Sequence, residues 1–274
     1  MTNQELQKLQ ELQIKILHEI RRICEKNNIS YFLESGSLLG AIRHNGFIPW
    51  DDDLDLGMKR TDYERFLKVA PQELGQEYFL QTQDTDAHFA LPFAKVRLLG
   101  TKFLENKAQN SEAHNEIFVD IFPYDAIPAE EKKRKQYTFR IKMLCHMQMI
   151  QCGYQPWKGE KLQKTIKFLP VRILAACYSR EQIQHKIKQM YEGLESQKEE
   201  EKVWLPNWCS YRCWFPLSCI QNLTMHAFGE EEYPIPASYE EWLTIAYGDY
   251  MELPPEDKRG NYHQIIDFDF GTYK

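Results

Sequence analysis

The sequence predicts an α/β fold of the α+β kind: a small mixed sheet flanked by helices, followed by a helical, aromatic-rich C-terminal part. Three observations carry this. Short apolar strand segments interleave with helical ones as far as Phe122, the pattern that builds a sheet with helices packed on it. A small-residue turn, Glu34-Ser35-Gly36-Ser37-Leu38-Leu39-Gly40, is followed by Trp50-Asp51-Asp52-Asp53-Leu54-Asp55-Leu56-Gly57, in which carboxylate and leucine come to alternate. Beyond about residue 130, helical periodicity and basic side chains take over.

Taken in order, Leu6, Leu9, Ile16, Ile20 and Ile23 fall at helical spacing, with Gln13 as a gap, so a helix with one buried stripe runs from Gln4 to Asn27. Tyr31-Phe32-Leu33 reads as a short strand feeding the glycine turn, and Leu38 to Ile42 as the helix beyond it. In the carboxylate strand Asp53 and Asp55 share one face while Leu54 and Leu56 point to a core. Thr61-Asp62-Tyr63-Glu64 has the form of a capping box, which predicts a helix ending before Pro71. Tyr78–Thr82 and Phe93–Leu99 read as strands, and Ile117–Phe122 as a strongly apolar strand with Asp120 at its centre, stopped by Pro123. Ser238-Tyr239-Glu240-Glu241 predicts the cap of a last helix, closed by Gly248.

These elements divide the 274 residues into a core, 1–128, and a C-terminal part, 129–274, that packs on it. A formal charge of −6 argues against a nucleic-acid partner. The seven cysteines are odd in number and scattered. With a polar N-terminus and no run near the roughly 20 apolar residues of a membrane span, the expectation is a cytoplasmic protein with reduced thiols. Cys209, Cys213 and Cys219 lack the paired knuckles of common zinc sites and read as structural. Lysine and arginine accumulate between Lys132 and Lys188, including Lys158, Lys161, Lys164 and Lys167. That field is either a solvated helical face or an approach surface for peripheral contact with the inner face of the plasma membrane.

Two carboxylates as close as Asp53 and Asp55 repel unless a cation sits between them. Mg2+, or Mn2+, suits such oxygen ligands. An EF-hand is excluded, because Leu56 and Asp62 stand where its glycine and glutamate belong. Gly36 and Ser37 present backbone N–H groups and a hydroxyl at a helix start, a place that binds phosphate. Asp120, alone among large apolar neighbours, either pairs with Lys95 or Arg97 or completes a three-carboxylate metal site with Asp53 and Asp55. The second arrangement suits displacement at phosphorus.

Gly36-Ser37, then Asp53-Leu54-Asp55, then a later strand aspartate resemble the pattern of the nucleotidyltransferase superfamily. The run from Leu33 to Met58 looks like the LicD family of phosphotransferases, related to the fukutin-type enzymes, and Phe118–Pro123 and Tyr247–Pro255 are similar to its later blocks. The resemblance implies a nucleotidyltransferase-like sheet and an Mg2+-dependent transferase. Its donor would be CDP-linked, as CDP-choline is, and its acceptor a sugar hydroxyl of a glycan or lipid-linked glycan, such as a teichoic-acid or capsule precursor. Polyol-phosphate, phosphosugar or nucleotidyl transfer are the alternatives. Carried over by position, Asp53, Asp55 and Asp120 are the metal ligands and catalytic carboxylates, and Gly36 and Ser37 hold the donor diphosphate. Arg43, Lys95 and Arg97 suit phosphate by charge, and Asp51 and Asp52 support the site. Glu34 stands where many relatives carry aspartate. For a choline head, Trp204, Trp208, Tyr211 and Trp214 are the candidate aromatic cage, with core packing as the other reading.

Overall fold

The computed structural model describes residues 1–154, 168–192, 213–256, 259–260 and 264–273, and the backbone of 202–206. In chain order the first half comprises α1 (Asn3–Asn27), β1 (Phe32–Leu33), α2 (Ser35–His44), β2 (Asp55–Lys59), α3 (Arg60–Glu73), β3 (Tyr78–Gln81), β4 (Ala94–Leu98), β5 (Lys102–Glu105) and β6 (Phe118–Pro128). The second half adds α4 (Glu131–Gln151), α5 (Leu169–Cys177), α6 (Arg180–Glu192), β7 (Lys202–Pro206), α7 (Ser218–Gln221), β8 (Leu223–Phe228), β9 (Glu231–Pro236), α8 (Tyr239–Tyr247) and β10 (Ile265–Asp269).

The main sheet runs β1-β2-β6-β4-β3, with β7 on the far half of β6. β2 lies parallel to β6 and the remaining pairs are antiparallel, so the sheet is mixed, as expected. β8 and β9 form a hairpin, and β10 pairs with β5. α1 begins in a full capping box between Thr2 and Glu5 and buries Leu9, Ile16, Ile20 and Ile23 against the sheet. The chain beyond residue 128 has two fates. α4, α5 and α6 pack on one another through Ile141, Leu144, Ala175, Ile183 and Ile187. Phe215, Tyr233, Ile235, Trp242 and Leu243 instead join the main core.

Several boundaries differ from the sequence reading, each for a local reason. β2 starts at Asp55, and residues 51–54 carry no strand pairing of their own beyond the Asp120 amide donating to Leu54 O (3.0 Å). β6 does not stop at Pro123. β4 pairs with it only through Ile121 and β7 only from Tyr124, so the missing N–H of Pro123 falls where the strand changes partner. α3 starts at Arg60 with no side-chain cap, so Thr61 is not its cap, and Pro71 lies within its last turn, where only one helical bond is lost. Ser238 likewise makes no side-chain cap, whereas Gly248, at φ 71°, does close α8.

Within the basic stretch, Lys133 pairs with Glu130, Lys135 with Glu131 and Lys188 with Glu192, each along its own helix. Lys158, Lys161, Lys164 and Lys167 lie outside the described residues, as do Cys209, Trp208, Tyr211 and the side chain of Trp204. Trp214 is 41% exposed, with the Arg134 guanidinium 4.3 Å from its ring centre. Among the described residues no helix is long and apolar enough to cross a membrane.

Candidate active site

The turn from β1 into α2 is bonded directly to the start of β2. The Glu34 amide donates to Asp55 O (3.0 Å), and the Asp55 amide donates to the Ser37 hydroxyl (2.9 Å). Ser37 is buried, so its hydroxyl fixes the backbone of Asp55. Ser35 has φ 49°, a left-handed conformation that costs a non-glycine residue about 1 kcal/mol or more and concentrates at functional sites. At Gly36 a Cβ would lie 2.6 Å from Asp51 Oδ2, so only glycine lets that carboxylate rest on the helix start.

The carboxylate segment is also held from below. Gln10 and Gln13 of α1 donate their side-chain amides to Asp51 O and Asp52 O, each at 3.0 Å. Asp51, Asp52 and Asp53 each offer an oxygen, all within 4.8 Å of one another, the spacing of a metal-ligand group. Asp55 is buried beside them, and its Oδ1 has no hydrogen-bond partner. Burial, then Asp53, Asp120, Glu34 and Asp51, pushes its carboxyl well above the ordinary range. Such a crowd of acidic oxygens fits a hard divalent cation.

Asp120 stands in register with Asp55 on one side and Lys95 on the other. Lys95 Nζ lies 2.6 Å from Asp120 Oδ1 and 4.0 Å from Glu105, which Lys107 contacts at 2.7 Å. The pairing of Asp120 with Lys95 is thus present, and Asp120 also stands beside Asp55. Burial pushes Asp120 up and Lys95 down, both toward neutrality, and their mutual contact opposes both shifts.

Glu34 is fully buried and accepts from Ser35 Oγ (3.2 Å) and from the Tyr124 hydroxyl (3.3 Å), which itself accepts from Trp242 Nε1 (3.1 Å). Burial raises its carboxyl to about 8 despite these bonds.

A cavity of about 610 Å³ opens over this group, lined among others by Ser35, Gly36, Arg43, Asp51, Asp53 and Asp55. Ser37, Lys95, Arg97 and Asp120 do not line it. Arg97 is further removed, its guanidinium engaged by Gln81 Oε1 and Glu116 O, each at 2.5 Å. Arg43 lines the cavity and donates to Tyr250 O (2.8 Å) and Glu252 O (3.3 Å), so it ties down the turn after α8. That turn brings Tyr247, Asp249, Tyr250 and Glu252 into the lining, with Trp50 beside them. Burial, then Asp55, Glu34, Asp51 and Asp53, pushes the Tyr247 phenol upward, keeping it a hydroxyl.

Sequence reasoning missed these residues and both glutamines. Gln13 did leave a trace, as the polar break in the apolar stripe of α1. The Tyr247–Pro255 segment showed only as a helix end and a family block.

A model of the LicD/FKTN/FKRP nucleotidyltransferase domain matches residues 28–154. The chain is 32% identical over 259 residues to the lipopolysaccharide cholinephosphotransferase LicD of Haemophilus influenzae, covering 91% of this chain and 92% of that protein. Over 58 residues it is 47% identical to an uncharacterised protein of Rickettsia typhi, covering 21% of this chain and 19% of that one. Over 53 residues it is 52% identical to the human ribitol 5-phosphate transferase FKRP, covering 19% of this chain and 11% of that one.

Proposed function

The chain belongs to the LicD family, and from that premise we propose that it moves phosphocholine, or a similar phospho-substituent, from a CDP-activated donor to a sugar hydroxyl of a cell-surface glycan precursor. The observation that carries this reading is the carboxylate group Asp51–Asp53, of which Asp51 and Asp53 line the cavity together with Asp55 and the start of α2. Asp51, Asp52, Asp53 and Asp55 would hold Mg2+ or Mn2+, which supplies charge neutralisation at the transferred phosphoryl group and a lowered pKa for the attacking hydroxyl.

The protein's own parts have separate tasks. Gly36 admits the Asp51 carboxylate to the helix start, and Ser37 and the two glutamines hold the ligand-bearing backbone still. Arg43 offers positive charge toward the donor phosphates and keeps the 250–252 turn closed over them. Asp120, balanced by Lys95, sets the field behind Asp55. Support for the phosphocholine donor comes from the relative that matches nearly the whole chain, and for a polyol phosphate from the shorter match to FKRP.

Incubation with labelled CDP-choline and CDP-ribitol, glycan acceptor and Mg2+ tests the reading. CMP release with label on the acceptor is expected, and pyrophosphate release from a nucleoside triphosphate would point instead to nucleotidyl transfer. Asp53→Asn and Asp55→Asn should each lower turnover at least about a hundredfold, the scale on which catalytic electrostatics acts, with the fold intact. Near-normal turnover in either folded variant would sink the mechanism.

A further inference from the structure

The helix α5 is apolar on its outer side. Only a narrow stripe, Val171 and Ala175, packs into the cluster it shares with α4 and α6. Leu169 is 51% exposed and Ile173 58%, and Leu174 and Tyr178 are exposed beside them. The pairs Leu169–Ile173 and Leu174–Tyr178 are each four residues apart, so they form two adjoining rows on one face. Phe139 of α4, 69% exposed, lies one turn before Met143, which lines a groove of about 390 Å³ together with Leu174 and Tyr178. Large apolar side chains exposed singly are ordinary, but five of them on adjoining helices around one groove mark an interaction surface.

The charge around this face has one sign. Arg140 and Lys186 line the groove, Arg172 projects from α5 itself, and Lys142 stands three residues beyond Phe139; all four are exposed. Lys133, Lys135 and Lys188 are each paired with a glutamate of their own helix. Among the described residues no carboxylate pairs with any of the four, and none lines the groove. The Lys186 ammonium instead lies 5.4 Å from the centre of the Tyr178 ring, its stem along apolar surface. A local cationic rim on a chain of net charge −6 selects an anionic partner at this face and repels one elsewhere. A second copy of the chain, docked face to face, would oppose cation to cation.

We propose that the outer face of α5, with Phe139 and the cations Arg140, Lys142, Arg172 and Lys186, is a docking surface for an anionic phospholipid bilayer. The apolar rows of α5 enter the head-group boundary while the four cations reach lipid phosphates around them, the division of labour of an interfacial amphipathic helix. The contact is peripheral and reversible. It is independent of which donor the cavity takes.

Flotation of the full chain with vesicles tests this without requiring turnover. Vesicles of equimolar phosphatidylcholine and phosphatidylglycerol should carry the protein at low salt and less of it at moderate salt, and vesicles of phosphatidylcholine alone should carry little. Leu169→Gln with Ile173→Gln changes only exposed side chains, so the variant should keep its Tm, and it should lower partitioning at least about tenfold. Arg172→Gln with Lys186→Gln should lower it about twenty-fivefold, at roughly fivefold per charge. Lys68→Gln, which removes an exposed lysine of α3, should leave it unchanged. No binding to the anionic vesicles at low salt would overturn the proposal, as would binding that both double variants retain or that Lys68→Gln loses equally. A self-association in sedimentation velocity that Leu169→Gln with Ile173→Gln abolishes, without vesicle binding, would assign the face to a second copy and overturn it too.

Discussion

Ser37→Ala isolates the bond that joins the α2 turn to the carboxylate strand. The Ser37 hydroxyl accepts from the Asp55 amide at 2.9 Å, and both residues are buried. Removing it strands a buried N–H, which costs about 1–3 kcal/mol. Alanine's better helix propensity returns at most about 0.5 kcal/mol in the first turn of α2. The net loss is then about 0.5–2.5 kcal/mol. At roughly 2–4 °C per kcal/mol for a chain of this size, Tm should fall by about 1–10 °C. Thermal unfolding of the metal-free protein, without nucleotide, is the assay, because it reads the bond and not the ligand. A hydroxyl that served only the donor diphosphate would give a different result: unchanged stability in the absence of ligand and weaker donor binding. Unfolding midpoints within error of the unaltered protein would therefore refute the positioning role.

Two further outcomes concern buried charge. Glu34, raised to about 8 from an ordinary 4.5 by burial, keeps its proton in the folded chain after the unfolded chain has released it. Stability should therefore decline as pH rises from about 4.5 to about 8 and level off above. Thermal unfolding in the presence of chelator should show the advantage of Glu34→Gln over the unaltered chain growing between pH 5 and pH 8, and an advantage flat with pH would contradict the burial effect. Lys95→Met should cost about 3–5 kcal/mol by leaving Asp120 buried without its cation, and Lys95→Met with Asp120→Asn should recover much of that. Additive losses in a double-mutant cycle read by urea unfolding would show that the 2.6 Å pair is not coupled.

The legible part of this protein is the part written in local periodicity. The stripe of α1, the strand from Asp55 and Leu56 onward, and the apolar run of β6 follow from side-chain direction in helices and strands, whereas Asp53 and Leu54 precede the strand that the alternation suggested. With the small-residue turn they identified an α+β sheet and placed Asp53, Asp55 and Asp120 as candidates. Boundaries went astray where tertiary partners override local signals. Pro123 does not end β6, because the strand exchanges β4 for β7 at that point. Thr61 and Ser238 match capping patterns without capping.

By itself, then, the sequence determined the mixed sheet, the acidic segment and the turn before it, since each is encoded within a few consecutive residues. Only the tertiary structure decided what those residues do to one another. Ser37 turns out to hold Asp55, Gly36 to make room for Asp51, and Lys95 to balance Asp120, while Arg97 is engaged elsewhere. The turn after α8 enters the cavity from about two hundred residues away in sequence. No spacing rule spans that distance, because packing of α8 into the main core through Trp242 and Leu243 is what delivers it.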